Sequence, residues 1–342
     1  MEIEDFLKLI QKWANNVPLV ILGSGASVPF SLPSMWTLGE YLKNNITFLE
    51  TEDIEQFNEF VKIFDETEDL ERALSDLNLN PKVLTEIVNK TWESVNTADL
   101  KAYEQFISTK IDFPLTELIK HLLSSAGRKV SIITTNYDRL AEYATSFANG
   151  VICTGYNQNP IGYFSSTIHK NNLKSLQGFS GQVNIWKVHG SLDWFKTKDE
   201  ENIQFPLRHT IPKNYIPSIV TPGLSKYFQT HQEPFRTIFT EADSEIENAR
   251  GFICIGYGFN DLHVQPKLTG QIKSGKPIIV ITKELTPKTK QTIIDNDCPN
   301  YILIEEDKSN SKNSRVFSSK FGEQVINDVS YWELSQFIKL IK

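Results

Sequence analysis

Apolar positions recur along this chain with two periods. Ile3, Phe6, Leu7 and Ile10 fall three and four residues apart, which predicts an amphipathic helix over residues 2–14. The run Leu19 to Leu22 is apolar at every position and rich in branched side chains, as a strand buried on both faces requires. From about Leu38 to Gly127 the helical period dominates. Ile54, Phe57, Val61 and Phe64 form one stripe; Val83, Ile87, Val88 and Trp92 form a second; Leu115, Leu118, Ile119, Leu122 and Leu123 form a third. This block is far longer than one crossover helix needs. It reads as a helical insertion subdomain, 38–127, inside a single domain, 1–342, with a break at LNLNP before and including Pro81.

Strand-like runs then return at Val130–Thr134, Val183–Val188, Phe252–Ile255, Ile278–Ile281 and Ile302–Ile304. The Ser-, Asn- and Lys-rich segment 306–315 reads as an exposed loop, followed by a last amphipathic helix around 330–341. The charged stretch Glu50 to Glu71 reads as a solvated helix face. Alternation of strands and helices predicts an α/β fold with a doubly wound parallel sheet.

Polar residues cluster where these strands end. Gly23-Ser24-Gly25-Ala26-Ser27 follows the first, Thr135-Asn136-Tyr137-Asp138 the second, His189-Gly190-Ser191 the third and Gly256-Tyr257-Gly258 the fourth. Carboxyl ends of parallel strands share one crevice, and such crevices bind ligands. Gly23 and Gly25 suit a tight strand-to-helix turn whose N–H groups face a phosphate. Val28 stands where a full G-x-G-x-x-G would place its third glycine, and such turns also occur with no ligand.

Composition narrows the function. With 35 basic and 42 acidic side chains the net charge is −7, which argues against a broad nucleic-acid-binding face. Three widely spaced cysteines, Cys153, Cys254 and Cys298, give neither a disulfide framework nor a four-thiolate zinc site. An acidic amphipathic start, with no apolar run long enough to cross a bilayer, points to a cytoplasmic protein with no membrane attachment.

Asn136 and His189 are the candidate catalytic pair. An amide can both donate to and accept from ribose hydroxyls or a water, and an imidazole titrates near neutrality as a general base requires. Gly190 would let a substrate approach His189 closely. Asp138 can hold a carboxamide N–H; equally, it can cap the helix that Arg139-Leu140-Ala141-Glu142 begins. A histidine beside a glycine is also often only a satisfied strand-end residue.

GSGAS, LPSMW, TTNYD, KVHGSLDW and IGYGFND, in that order across roughly residues 17–265, resemble the motifs of SIR2-like proteins, the sirtuin-related NAD-consuming domains of bacterial anti-phage defence. The resemblance implies a Rossmann-like, SIR2-type fold that uses NAD+ as a substrate. It implies that Gly23, Ser24, Gly25, Ala26 and Ser27 hold the pyrophosphate. Asn136 would position the nicotinamide ribose and a water, and His189 would act as base. Asp138 would meet the carboxamide, and Gly256, Tyr257 and Gly258 would line the adenosine side. Deacylase sirtuins carry a four-cysteine zinc module and usually Gln where Thr135 stands, so the resemblance favours an NAD+ glycohydrolase without zinc over a protein deacylase or a non-catalytic NAD or ADP-ribose sensor. It further implies control through a homo-oligomer or a partner such as a HerA-like ATPase.

Overall fold

The structure, a computed structural model, describes residues 3–75, 77–109, 113–171, 178–221, 232–261 and 264–342. Its central strand is β1 (Leu19–Leu22), buried at every position. β1 pairs in parallel with β2 (Lys129–Thr134) on one side and with β9 (Phe252–Ile255) on the other. Beyond β2 lie β5 (Gly181–Lys187) and, at that edge, β3 (Gly150–Cys153); beyond β9 lie β10 (Ile278–Ile281) and β11 (Tyr301–Asp307), all parallel. The chain leaves β1 toward β2 and later returns to build outward from β9. The strand order therefore reverses between β1 and β9, and in open parallel sheets such a switch point opens a crevice at the carboxyl ends.

Helices cover both faces, as the wholly apolar strands β1, β9 and β10 at the middle of the sheet require. One face carries α1 (Ile3–Ala14), α6 (Pro114–Leu123), α7 (Leu140–Phe147) and α12 (Leu334–Ile341), whose Phe6, Leu118, Leu140 and Phe337 meet Val20, Ile132 and Ile253. The other carries α9 (Phe235–Asn248), α10 (Val264–Lys273) and α11 (Pro287–Ile293), which bury Ile238, Leu268 and Ile293 against Ile21, Cys254 and Val280.

The long helical block contains α2 (Met35–Asn45), α3 (Thr51–Thr67), α4 (Leu70–Ser75) and α5 (Pro81–Thr109) before α6. Pro81 opens α5, where it costs no hydrogen bond, and Asn80 Oδ1 accepts the Lys82 and Val83 N–H groups at 3.0 and 2.9 Å. Phe57, Phe60 and Phe64 of α3 belong to the same continuous apolar core as Val20 and Ile132 of the sheet. The charged stretch from Glu50 is not solvated throughout. Asp53 is buried against Asn80 and Lys82, and Glu71 faces a cavity at the carboxyl ends of the parallel strands, because α3 and α4 turn those positions inward.

A second, antiparallel sheet was not anticipated: β4 (Gly162–Tyr163), β7 (Asn202–Gln204), β6 (Gly190–Lys196) and β8 (Ile216–Ile219), in that order, with the short α8 (Ile168–Asn171) between β4 and β5. Segment 306–315 also differs from expectation. It is no loop but the turn and first half of an antiparallel hairpin, β11 with β12 (Asn310–Ser318), extended by β13 (Gly322–Ile326). Its polar residues are structural: Ser314 Oγ donates to Val329 O at 2.7 Å, and Asn313 Nδ2 to Asn327 Oδ1 at 3.1 Å. Near a sheet edge a strand needs no apolar alternation, so periodicity misses it.

Candidate active site

The loops after β1, β2, β5, β9 and β10 meet at the switch point. A polar cavity of about 340 Å³ lies there, bordered by Gly23, Ser24, Gly25, Ser27, Asn136, Asp138, His189, Gly256, Tyr257 and Gly258. Ala26 borders an adjoining, mainly apolar cavity of about 530 Å³, walled by Val28, Phe30, Phe113, Leu140, Ile281 and Trp332. Gly25, Ser27, Asn136, Asp138 and Gly256 border both. The polar tips picked from sequence thus come together in space. Leu32, Pro33 and Met35 close one side, from the proline-bounded segment that leads into α2.

The glycine turn works differently from the expected helix start. It forms two short 3₁₀ turns, Ser24–Ala26 and Val28–Phe30. Its N–H groups are largely committed: Gly23 and Gly25 donate to Ile255 O and Gly256 O at 3.1 Å, and Ala26 and Ser27 to Gly23 O and Ser24 O at 3.0 Å. The glycines are needed because the β1 and β9 loops touch backbone to backbone. A Cβ on Gly256 would sit 2.2 Å from Ala26 N, and its φ of +57° disfavours any side chain. Gly256→Ala is therefore expected to cost about 1–2 kcal/mol for the left-handed backbone alone, plus the clash. A lowered thermal midpoint would show it; an unchanged midpoint would mean that the two loops do not touch.

Asn136 is held in one orientation. Its Nδ2 donates to Gly23 O at 2.9 Å and to Ser27 Oγ at 3.0 Å, and Ser27 Oγ donates onward to Asp138 Oδ2 at 2.7 Å. A carbonyl can only accept, so the nitrogen must face Gly23 and the acceptor Oδ1 is the end left for a ligand. Asp138 takes one of the two roles open to it in the sequence, the cap: Oδ1 accepts the first N–H of α7, from Leu140, at 3.1 Å, while Oδ2 accepts from Ser27 Oγ. Burial pushes its carboxyl pKa up, opposed by Lys187 and the Ser27 bond.

Beneath this loop lie groups the sequence reading missed. Lys187, 0% exposed, donates to Asp138 O and stands 3.0 Å from Glu142 Oε1. Burial raises the Glu142 carboxyl to about 7, against the pull of Lys187. Arg139 is locked to Asp99 of α5: its backbone N–H reaches Asp99 Oδ1 at 2.7 Å, and its guanidinium reaches Oδ2 at 2.6 and 2.9 Å. Tyr143 Oη also donates to Asp99 Oδ2, at 2.6 Å. A lysine inside the run VNIWKVHG was the one available signal for the first group.

His189 occupies the corner where the parallel sheet hands over to the antiparallel one. Gly190 has φ +86°, and a Cβ there would lie 2.0 Å from Ser218 O. What approaches the glycine is the β8 backbone, which pairs Ile219 with Gly190, and not the substrate expected from sequence. Val220 N–H donates to His189 O at 2.8 Å, and the ring Nε2 lies 2.8 Å from Asp261 Oδ2. Asp261, Glu71, Glu284 and Thr282 also border the polar cavity.

The sequence pattern of the SIR2-like domain matches residues 130–320, which include Asn136, Asp138, His189 and Gly256. The chain belongs to the SIR2-like family. Solved Sir2 structures are similar to this chain at low identity. A SIR2 homologue in complex with NAD is 16% identical, over 89% of this SIR2-like chain and 88% of that one, with a TM-score of 0.48. A Sir2 homologue variant with ADP-ribose is 17% identical over 84% and 87%, at 0.46, and a Sir2 with a propionylated peptide is 14% identical over 84% and 89%, at 0.42. No curated protein matches the sequence. The glycine turn lies outside the residues that match the SIR2-like pattern.

Proposed function

We propose that this SIR2-like protein is an NAD+ glycohydrolase, in which NAD+ and water give nicotinamide, ADP-ribose and a proton. One observation carries the reading: Asn136, whose donor Nδ2 is held on Gly23 O so that Oδ1 is left for a ligand, and His189 border a single cavity at the switch point. The polar cavity suits the ribose, and the apolar one, reached past Asp138, suits the flat nicotinamide ring. Ser24 and Gly25, both exposed, give the pyrophosphate room to approach the turn.

Nicotinamide leaves a cationic ring as a neutral molecule, so the site must mainly stabilise positive charge developing on the ribose and deliver water. Carboxylates at Asp138, Asp261, Glu71 and Glu284 border the cavity, while none of its described lining residues is Lys or Arg, and that charge balance favours such a transition state. Asn136 Oδ1 orients the attacking water or a ribose hydroxyl, and His189 takes the proton that water releases. In a cell, unchecked turnover would deplete NAD+, the outcome a phage-defence role calls for.

The test incubates the protein with NAD+, alone and with an acyl-lysine peptide, and quantifies nicotinamide, ADP-ribose and deacylated peptide. Nicotinamide and ADP-ribose are expected in equal amounts without peptide. Nicotinamide released only in step with deacylation would make the protein a deacylase. NAD+ bound without turnover would make it a sensor.

A further inference from the structure

We propose that Asp261 is a positioning residue that holds the imidazole of His189 as one half of a carboxylate–histidine dyad. The proposal rests on the glycohydrolase reading for its kinetic part and on geometry for the rest. Asp261 Oδ2 lies 2.8 Å from His189 Nε2, and the two side chains are 6% and 10% exposed. Water therefore screens the pair less than it would screen a surface pair.

Both partners are fixed from behind. Asp261 Oδ1 accepts the Val264 N–H at 2.8 Å, which caps α10, and its backbone carbonyl accepts the Gln265 N–H at 3.2 Å. The main chain of His189 is pinned on the other side by Val220 N–H and by the pairing of Gly190 with Ile219. A carboxylate on Nε2 sets the neutral tautomer with its proton on Nε2, leaves Nδ1 as the basic nitrogen, and stabilises the imidazolium formed when a proton is taken up. Asp138, Glu71 and Glu284, from the β2 loop, α4 and the β10 loop, border the same cavity, and each adds a weaker pull in the same direction.

Asp261→Asn separates this role from a structural one. Asparagine caps a helix as well as aspartate does, so α10 and the fold are kept while the charge on the imidazole is removed. With NAD+ as substrate, kcat is expected to fall about 10²-fold or more, with NAD+ affinity by calorimetry little changed. The loss should fall on kcat and not on KM, because the carboxylate acts on the ring and not on NAD+. Asp261→Ala should show the same loss of kcat and a lowered thermal midpoint besides.

A wild-type kcat in Asp261→Asn would overturn the proposal, as would a loss of NAD+ affinity with kcat intact. The unaltered protein supplies a second readout. Side-chain nitrogen NMR should find neutral His189 protonated on Nε2, and a proton on Nδ1 would overturn the dyad. That measurement needs no turnover. If the wild-type protein releases no nicotinamide, the glycohydrolase reading fails while the dyad is still decided.

Discussion

Asn136→Ala is expected to stop nicotinamide release, lowering kcat by about 10²–10³-fold, the usual consequence of removing one preorganised polar group from a reacting centre. The amide sits at the head of a directional chain, Nδ2–H to Ser27 Oγ, then Oγ–H to Asp138, with its second hydrogen on Gly23 O. Asn136→Asp is the sharper variant. It keeps the shape but turns a carboxylate oxygen toward the Gly23 carbonyl, acceptor against acceptor, in a site only 9% exposed. Its kcat should therefore fall as far as that of the alanine variant. Single-turnover assays for nicotinamide, with NAD+ affinity measured separately, distinguish lost chemistry from lost binding. More than a tenth of the wild-type rate in both variants would remove Asn136 from the mechanism.

Asp99→Ala is expected to produce the largest loss of stability, about 3–5 kcal/mol, because it strands a buried guanidinium. Asp99 is 0% and Arg139 3% exposed, and four hydrogen bonds converge on the carboxylate from Arg139 and Tyr143. Among the described residues, Asn96 Oδ1, 2.9 Å from the guanidinium, would be the remaining side-chain hydrogen-bond partner. Urea unfolding measures the loss, and replacing both partners by apolar residues, Asp99→Leu with Arg139→Met, should recover part of it. Arg139 directly follows Asp138, so this pair also fastens the loop after β2, which carries Asn136, to α5. A single variant at Asp99 within 1 kcal/mol of wild type would show that α5 does not anchor the loop.

The site was legible in outline because strand ends advertise themselves. Apolar runs that stop abruptly at GSGAS, TTNYD, VHGS and IGYG place each cluster on the same edge once the sheet is parallel. What each residue does there was less legible. The two glycines of the turn and Gly190 were read as clearance for a ligand, yet each makes room for another segment of backbone. Lys187 and Glu142 sit in stretches that look like ordinary strand and helix, and Asp261 looks like a helix cap, which it also is.

Sequence alone determined the α/β alternation, the buried strands β1, β2, β9 and β10, the helical block with its break at Pro81, and the set of polar tips, since each follows from local periodicity and turn chemistry. Only tertiary structure decided the rest: the reversal of strand order beside β1, the backbone contact of Gly25 with Gly256, the second sheet that turns His189 into the cavity, and the pairing of Asp99 with Arg139 and Asp261 with His189. Those features join residues far apart in the chain, and their energies arise from burial and charge partners that no local window of sequence contains.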